Sequence, residues 1–195
     1  MRVFITVLVL ILNLQSWTKA DDIRDFQIEG ISIGDSLLDF YIEEQILNQK
    51  KIGFLYPNKE YFTARLENIH GNLYEFLQFQ IKADDPKYII YSIEGINFFD
   101  NINSCLVDQK NISSEIKNIF PNAKEIVDNG KHDADPTGKS MGYEIYYFFK
   151  NGGNATIACY DWSDEITKDK GWLDNLKVII DSQEFNYWLN NKAYE

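Results

Sequence analysis

The sequence predicts an α+β fold in which a helix followed by an antiparallel meander of strands occurs twice, with one further helix at the C-terminus. Two observations point to it. Apolar residues recur at helical spacing near residues 36–48 and again near 102–120, and the stretches that follow are rich in aromatic and β-branched residues. Because each helix precedes a group of strands rather than alternating with single strands, antiparallel pairing is expected.

The first half opens with a candidate helix start. Gly34 precedes Ser36, whose hydroxyl can accept from the helix backbone, and Asp39 three residues later can reach back to the cap. The predicted helix spans residues 36–48. It would bury Leu37, Leu38, Tyr41, Ile42 and Ile46. The strands that follow are predicted at residues 61–69, 73–81 and 87–96.

The second half is predicted to repeat this order. Asn103 or Ser104 caps a second helix that stops at Pro121. The strands are expected at residues 125–127, 143–150, 154–160 and 176–180, with a polar loop at 128–142. Ser182 begins a capping pattern for the terminal helix. That helix would bury Phe185, Trp188 and Leu189.

The N-terminus has the form of a signal peptide. Residues 1–20 contain Arg2, an apolar run too short to span a membrane, and a small residue at Ala20. We expect cleavage near Ala20 and a soluble mature chain in the periplasm or secreted. Residues 21–195 are long enough for one domain, with possible lobes at 21–101 and 102–195.

Charge and composition narrow the expected partners. The formal net charge of −11 at pH 7 disfavours nucleic acid and anionic lipid headgroups. No stretch after residue 20 predicts membrane insertion of the mature chain. Two histidines and two cysteines, none at ligand spacing, predict neither a metal nor another cofactor. The expected partner is therefore an unknown ligand or an envelope protein.

The two cysteines, Cys105 and Cys159, would be exported to an oxidising compartment. A disulfide between them would close a loop of about 55 residues. The alternative is two separate buried thiols, and the choice depends on geometry.

The letters of Gly34 to Leu37 match the nucleophile block of GDSL esterases and lipases. This resemblance implies a serine hydrolase with Ser36 as the nucleophile, which needs a base and an acid to orient it. The candidates for those roles are His70, His132, Asp133 and Asp135. The family's other blocks, including an Asp-x-x-His pair, have no counterpart in this chain. We therefore interpret Ser36 as a helix cap and retain the hydrolase as the alternative function.

The loop at 128–142 carries two motif fragments. Residues 136–140 resemble the end of a Walker A loop, but Asp133 stands where the first glycine is required. His132 and two nearby carboxylates could contact a cation, although the glycine and glutamate of an EF-type loop are missing. We interpret the segment as a solvated turn and as the second candidate functional region.

The first candidate region lies near the C-terminus and pairs aromatic rings with carboxylates. Its residues are Tyr160, Asp161, Trp162, Trp172 and Asp174. Aromatic rings beside hydrogen-bonding acids bind carbohydrates, cations or peptides. The alternative is that both indoles close the ends of the sheet as part of the core. The sequence favours a non-catalytic binding or interaction module over an enzyme.

Four segments of the chain, at residues 28–39, 87–93, 159–163 and 185–194, resemble a group of uncharacterised small exported proteins of AT-rich marine alphaproteobacteria. The resemblance covers the whole mature chain. It implies a periplasmic location and brings no activity with it.

Overall fold

The computed structural model describes Ile23, residues 26–69, Gly71, residues 73–150 and residues 152–195. The predicted signal peptide and His70 lie outside these residues. The first half contains β1 (Gln27–Ile28), β2 (Ile31–Ser32), a 3-10 helix (Leu37–Asp39), α1 (Glu43–Lys50), β3 (Tyr61–Glu67), β4 (Phe76–Lys82) and β5 (Ile90–Phe98). The second half contains α2 (Ile102–Ile119), β6 (Lys124–Lys131), β7 (Met141–Phe148), β8 (Asn154–Asp161), α3 (Asp164–Lys170), β9 (Asn175–Asp181) and α4 (Gln183–Asn191).

Seven strands form one antiparallel sheet in the order β3-β4-β5-β9-β8-β7-β6. The strands of each half lie side by side, and β5 joins them by pairing with β9 from Ser92↔Asp181 to Phe98↔Asn175. The predicted α+β class, with antiparallel strands and a C-terminal helix, is confirmed. No helix among the described residues is long and apolar enough to cross a membrane.

The larger core lies between α2 and one face of the sheet. Alternate residues of the strands point toward α2, which is why Ile157, Cys159 and Val178 are buried while their neighbours face the other side. Cys105 on α2 and Cys159 on β8 form a disulfide with a Cα–Cα distance of 6.0 Å. Of the two alternatives that the sequence leaves open, the structure has the disulfide, which fastens the helix to the middle of the sheet.

The opposite face of the sheet is only partly covered. The terminal helix α4 lies over one end and buries Phe185 and Trp188 against Tyr61. Ser182 caps this helix by accepting from the backbone N–H of Phe185 at 3.2 Å, as the sequence predicts. The other end of this face is left for loops, and the candidate site lies there.

The first helix differs from the prediction. Ser36 caps only the short 3-10 helix, and α1 starts seven residues later, at Glu43. The reason is a long-range contact, because residues 34–37 pair with residues 88–90, where β5 begins, and Ser36 forms a bridge with Ile89. This pairing rotates two predicted core residues outward, so that Leu38 is 42% and Ile42 is 64% exposed.

Several other boundaries also move. Asn101 caps α2 in place of Asn103 or Ser104, with its side chain accepting from the backbone N–H groups of both. The predicted short strand at 125–127 is an eight-residue edge strand, and the predicted loop at 128–142 shortens to residues 132–140. The helix α3 was not predicted, although Ser163 and Gly171 cap its two ends.

Candidate functional site

Four rings meet on the uncovered end of the sheet, and we call His132, Tyr160, Trp162 and Trp172 the aromatic site. The centroid of the Trp162 ring lies 4.7 Å from that of Trp172 and 4.4 Å from that of His132. The Tyr160 ring lies 5.0 Å from His132 and 5.8 Å from Trp162. The predicted aromatic residues thus converge, and the histidine of the second candidate region joins them.

Three segments hold the rings in place. Tyr160 lies near the end of β8, and Trp162 is the first residue after that strand. Trp172 follows α3, whose C-terminus turns at Gly171 with a left-handed φ of 69°. His132 follows β6, which pairs with β7 and so places the loop 132–140 beside the end of β8.

Asp174 has a structural role at this site. One of its carboxylate oxygens accepts from the backbone N–H of Trp162 at 2.8 Å, and its own carbonyl accepts from the N–H of Phe99 at 2.9 Å. Burial raises the pKa of the Asp174 carboxyl. This predicted site residue therefore fixes the backbone under the indole and does not line the cavity described below.

Asp135 fixes the loop that carries His132. Its buried carboxylate accepts from the backbone N–H and hydroxyl of Ser140 at 2.8 and 2.7 Å, from the N–H of Thr137 at 2.8 Å, and from the hydroxyl of Ser163 at 3.0 Å. These bonds, led by the one from the Ser140 hydroxyl, lower the pKa of Asp135 well below its usual range. The carboxylate thus ties the loop to the start of α3.

The rings surround an open cavity of about 360 Å³. Its other walls come from Arg65 on β3, Phe98 on β5, and Lys177 on β9. Neither indole belongs to a core cluster, and Trp172 is 38% exposed. The two tryptophans therefore line an open cavity and do not close the ends of the sheet as core residues.

Two polar side chains that line the cavity each contact a carboxylate. The Lys177 ammonium lies 2.6 Å from the Glu94 carboxylate, and the Tyr160 hydroxyl donates to Glu144 at 2.7 Å. Burial, and then the charge of Glu144, raise the pKa of Tyr160. Burial lowers the pKa of His132, and its Nδ1 accepts from the N–H of Ala134 at 3.1 Å. The imidazole is therefore neutral at pH 7.

The structure does not assemble the serine-hydrolase pair of Ser36 and His132. The Ser36 hydroxyl donates to the carbonyl of Lys87 at 2.7 Å and accepts from the N–H of Leu38 at 3.3 Å. Ser36 pairs at Ile89, before the start of β5, whereas Tyr160 of the aromatic site is in register with the far end of β5. Nine residues of strand, roughly 25 to 30 Å, separate the two ends, so Ser36 and His132 cannot form a nucleophile–base pair.

Asp135, the proposed orienting acid, is occupied by backbone and hydroxyl donors of the loop and by Ser163. Gly138 takes a left-handed φ of 67° in a turn, and Lys139 forms an ion pair with Glu165 on α3. The Walker-like fragment is thus a turn joined to α3. In the described part of the chain, no group of three or more His, Cys, Asp or Glu residues could hold a metal ion.

Sequence reasoning missed Arg65, Phe98 and Lys177. All three point to the face opposite α2, as alternation along β3, β5 and β9 requires. The alternation of side chains along each strand indicates the face on which these residues lie. It does not indicate which strands are neighbours in the sheet. Asp161 has the opposite parity from Tyr160 and does not line the cavity.

Comparison of the chain with models of known families, with curated proteins and with solved structures finds no match.

Proposed function

We propose that this protein is a non-catalytic binding or interaction module that uses the aromatic site. The single observation that carries the proposal is the convergence of four part-exposed rings around one open cavity, outside both hydrophobic cores. Aromatic side chains that are held rigidly beside polar groups are a common way to bind small molecules.

The surroundings of the rings support binding rather than packing. Asp135 and Asp174 hold the two loops from below, so the rings keep their positions without a ligand. A preformed site loses little conformational entropy when it binds. The Cys105–Cys159 disulfide is typical of exported proteins and supports a periplasmic or extracellular location.

The test is intrinsic tryptophan fluorescence of the oxidised mature chain. Neutral glycans, acidic glycans, polyamines and peptides from envelope proteins are titrated separately. A ligand should change the emission of Trp162 and Trp172, because both border the cavity. No response to any of these four classes would contradict the proposal.

The chain supplies a matched control. Trp188 is 2% exposed and lies in the small core under α4, apart from the aromatic site. The double variant Trp162→Phe, Trp172→Phe therefore leaves Trp188 as the only tryptophan among the described residues. Its emission should stay constant during the same titration, and a response equal to wild type would place the ligand elsewhere.

A further inference from the structure

We infer that the ligand of the aromatic site is an acidic saccharide, with its carboxylate on Arg65 and a sugar ring against Trp162 and Trp172. This inference rests on the proposed function and names the class of ligand. Three features of the cavity lead to it: an unpaired guanidinium, an elongated shape, and an unpaired amide oxygen.

Arg65 is the cationic residue of the cavity whose charged group is available to a ligand. Its backbone N–H donates to the side chain of Gln49 at 3.3 Å, but its guanidinium has no ion-pair or hydrogen-bond partner among the described residues. The nearby Lys177 already faces Glu94, and Lys170 lies over the Trp172 ring at 4.9 Å. The cavity lining contains no carboxylate, although the chain carries a net charge of −11.

A guanidinium recognises a carboxylate through two parallel hydrogen bonds, which a lysine cannot reproduce. A polyamine would meet the unpaired Arg65 as a like charge, since Lys177 is already neutralised by Glu94. The lining thus selects an anion over a cation.

The cavity is elongated across the strands. Arg65 lies on β3, while Tyr160 lies on β8, four strands away in the sheet order. Four spacings of about 4.8 Å separate the two strands by roughly 19 Å, and the long side chains on both sides narrow this gap. Phe98 and Lys177 form the floor between them. A single small ion would touch one wall only, whereas a molecule of two linked rings reaches both.

Asn175 favours a hydroxyl-bearing ligand over a plain aromatic acid. Its amide N–H donates to the carbonyl of Leu173 at 2.7 Å, and its amide oxygen has no partner among the described residues. The residue lines the cavity and is 6% exposed, so its unpartnered oxygen lies at the cavity wall as an acceptor that the fold leaves unused. A sugar offers hydroxyl donors together with an apolar ring face that packs on indole.

The experiment is isothermal titration calorimetry of the oxidised mature chain at low ionic strength, with digalacturonate as the probe. Neutral galactobiose has the same two-ring size without the carboxylates, and indole-3-acetate has a carboxylate and a ring without sugar hydroxyls. Digalacturonate should bind at least tenfold more tightly than either, and added salt should weaken it.

The Arg65→Gln variant should weaken digalacturonate binding about tenfold, which is the loss expected for one charge-assisted contact. The Arg65→Lys variant should recover part of that loss. Lys110→Gln is the matched control, because Lys110 is exposed on α2, on the other side of the sheet, and its loss changes the net charge equally. That variant should bind like wild type.

The outcomes separate the two proposals. Equal binding of galactobiose, tighter binding of indole-3-acetate, or unchanged affinity in Arg65→Gln would overturn the acidic saccharide while leaving a binding module. If digalacturonate does not bind but a peptide or polyamine changes the emission of Trp162 and Trp172, the ligand class is again wrong and the binding function stands. If no probe acts on these tryptophans, both proposals fail.

Discussion

Asp181 gives the sharpest physical prediction, because the fold buries its carboxyl beside a second acid. The residue is 8% exposed at the end of β9, under the chain that leads into α4. Burial, and then the charge of Glu94, raise the pKa of Asp181 to about 6, although hydrogen bonds from Ser92 and Asn154 oppose the shift. One of its oxygens has no partner among the described residues.

The shift fixes the sign of a pH effect on stability. The folded pKa of Asp181 lies above its ordinary value of 3.8. The stability that this group contributes is therefore fully present below about pH 3.8 and is lost as the pH rises through about 6, since the folded chain binds the extra proton. The rise of the Asp181 pKa from 3.8 to about 6 corresponds to about 3 kcal/mol of unfolding free energy as an upper bound.

The Asp181→Asn variant imitates the protonated acid and should escape this loss. At pH 7.5 we expect it to be more stable than wild type by about 2 to 3 kcal/mol, and at pH 4 the two should converge. Urea unfolding from pH 4 to 8 measures the difference, and taking the difference between variants cancels the other titrating groups. Asp84→Asn, at an exposed turn, is the control and should stay within about 0.5 kcal/mol of wild type at each pH. A difference for Asp181→Asn that does not change with pH would refute the reasoning.

Three further predictions concern the supports of the fold and the site. Reducing the Cys105–Cys159 bond, which spans 54 positions, should cost about 4 kcal/mol on the chain-entropy model; equal urea midpoints with and without reductant would contradict it. Ser36→Ala removes two hydrogen bonds and should cost about 1 kcal/mol in thermal unfolding, and an unchanged midpoint would mean that backbone pairing alone holds this turn. Asp135→Ala should make the loop at 132–140 a preferred site for trypsin, as mass spectrometry of the fragments would show. An unchanged digestion pattern would indicate that other contacts hold the loop.

The elements that the sequence predicts correctly are those whose signal is local. Strands β7, β8 and β9 carry aromatic and β-branched residues, and α4 follows a serine cap, so their positions shift by only one or two residues. The seven-residue α3 buries only Ile166, which leaves no helical periodicity to detect. The edge strand β6 is almost wholly exposed and shows no alternation of apolar residues. The error in the first helix comes from the Ser36–Ile89 bridge, a contact between distant parts of the chain.

The residues of the candidate site likewise differ in whether a local sequence pattern or a long-range contact brings them to the site. Tyr160, Trp162 and Trp172 are close in sequence, and their composition alone indicates a surface of interest. His132 lies 28 positions before Tyr160 and reaches it only because β6, β7 and β8 pair side by side. Arg65 requires more, since its place in the cavity depends on the pairing of β5 with β9, which no local pattern specifies.

The two walls of the cavity therefore come from different halves of the chain and are held in different ways. Tyr160 follows Cys159, so the disulfide anchors the strand beneath the aromatic wall to α2. Arg65 on the opposite wall reaches the site through β3, β4 and β5, and within the described part of the chain the two halves share only one strand pairing, the β5–β9 ladder. Because folding sets both walls before a ligand arrives, a two-ring ligand need not order the loops when it binds. Loosening that ladder would separate Arg65 from the indoles while leaving every residue of the cavity in the chain. The cavity would then lose its preference for anions before it lost the binding of a ligand to the aromatic rings.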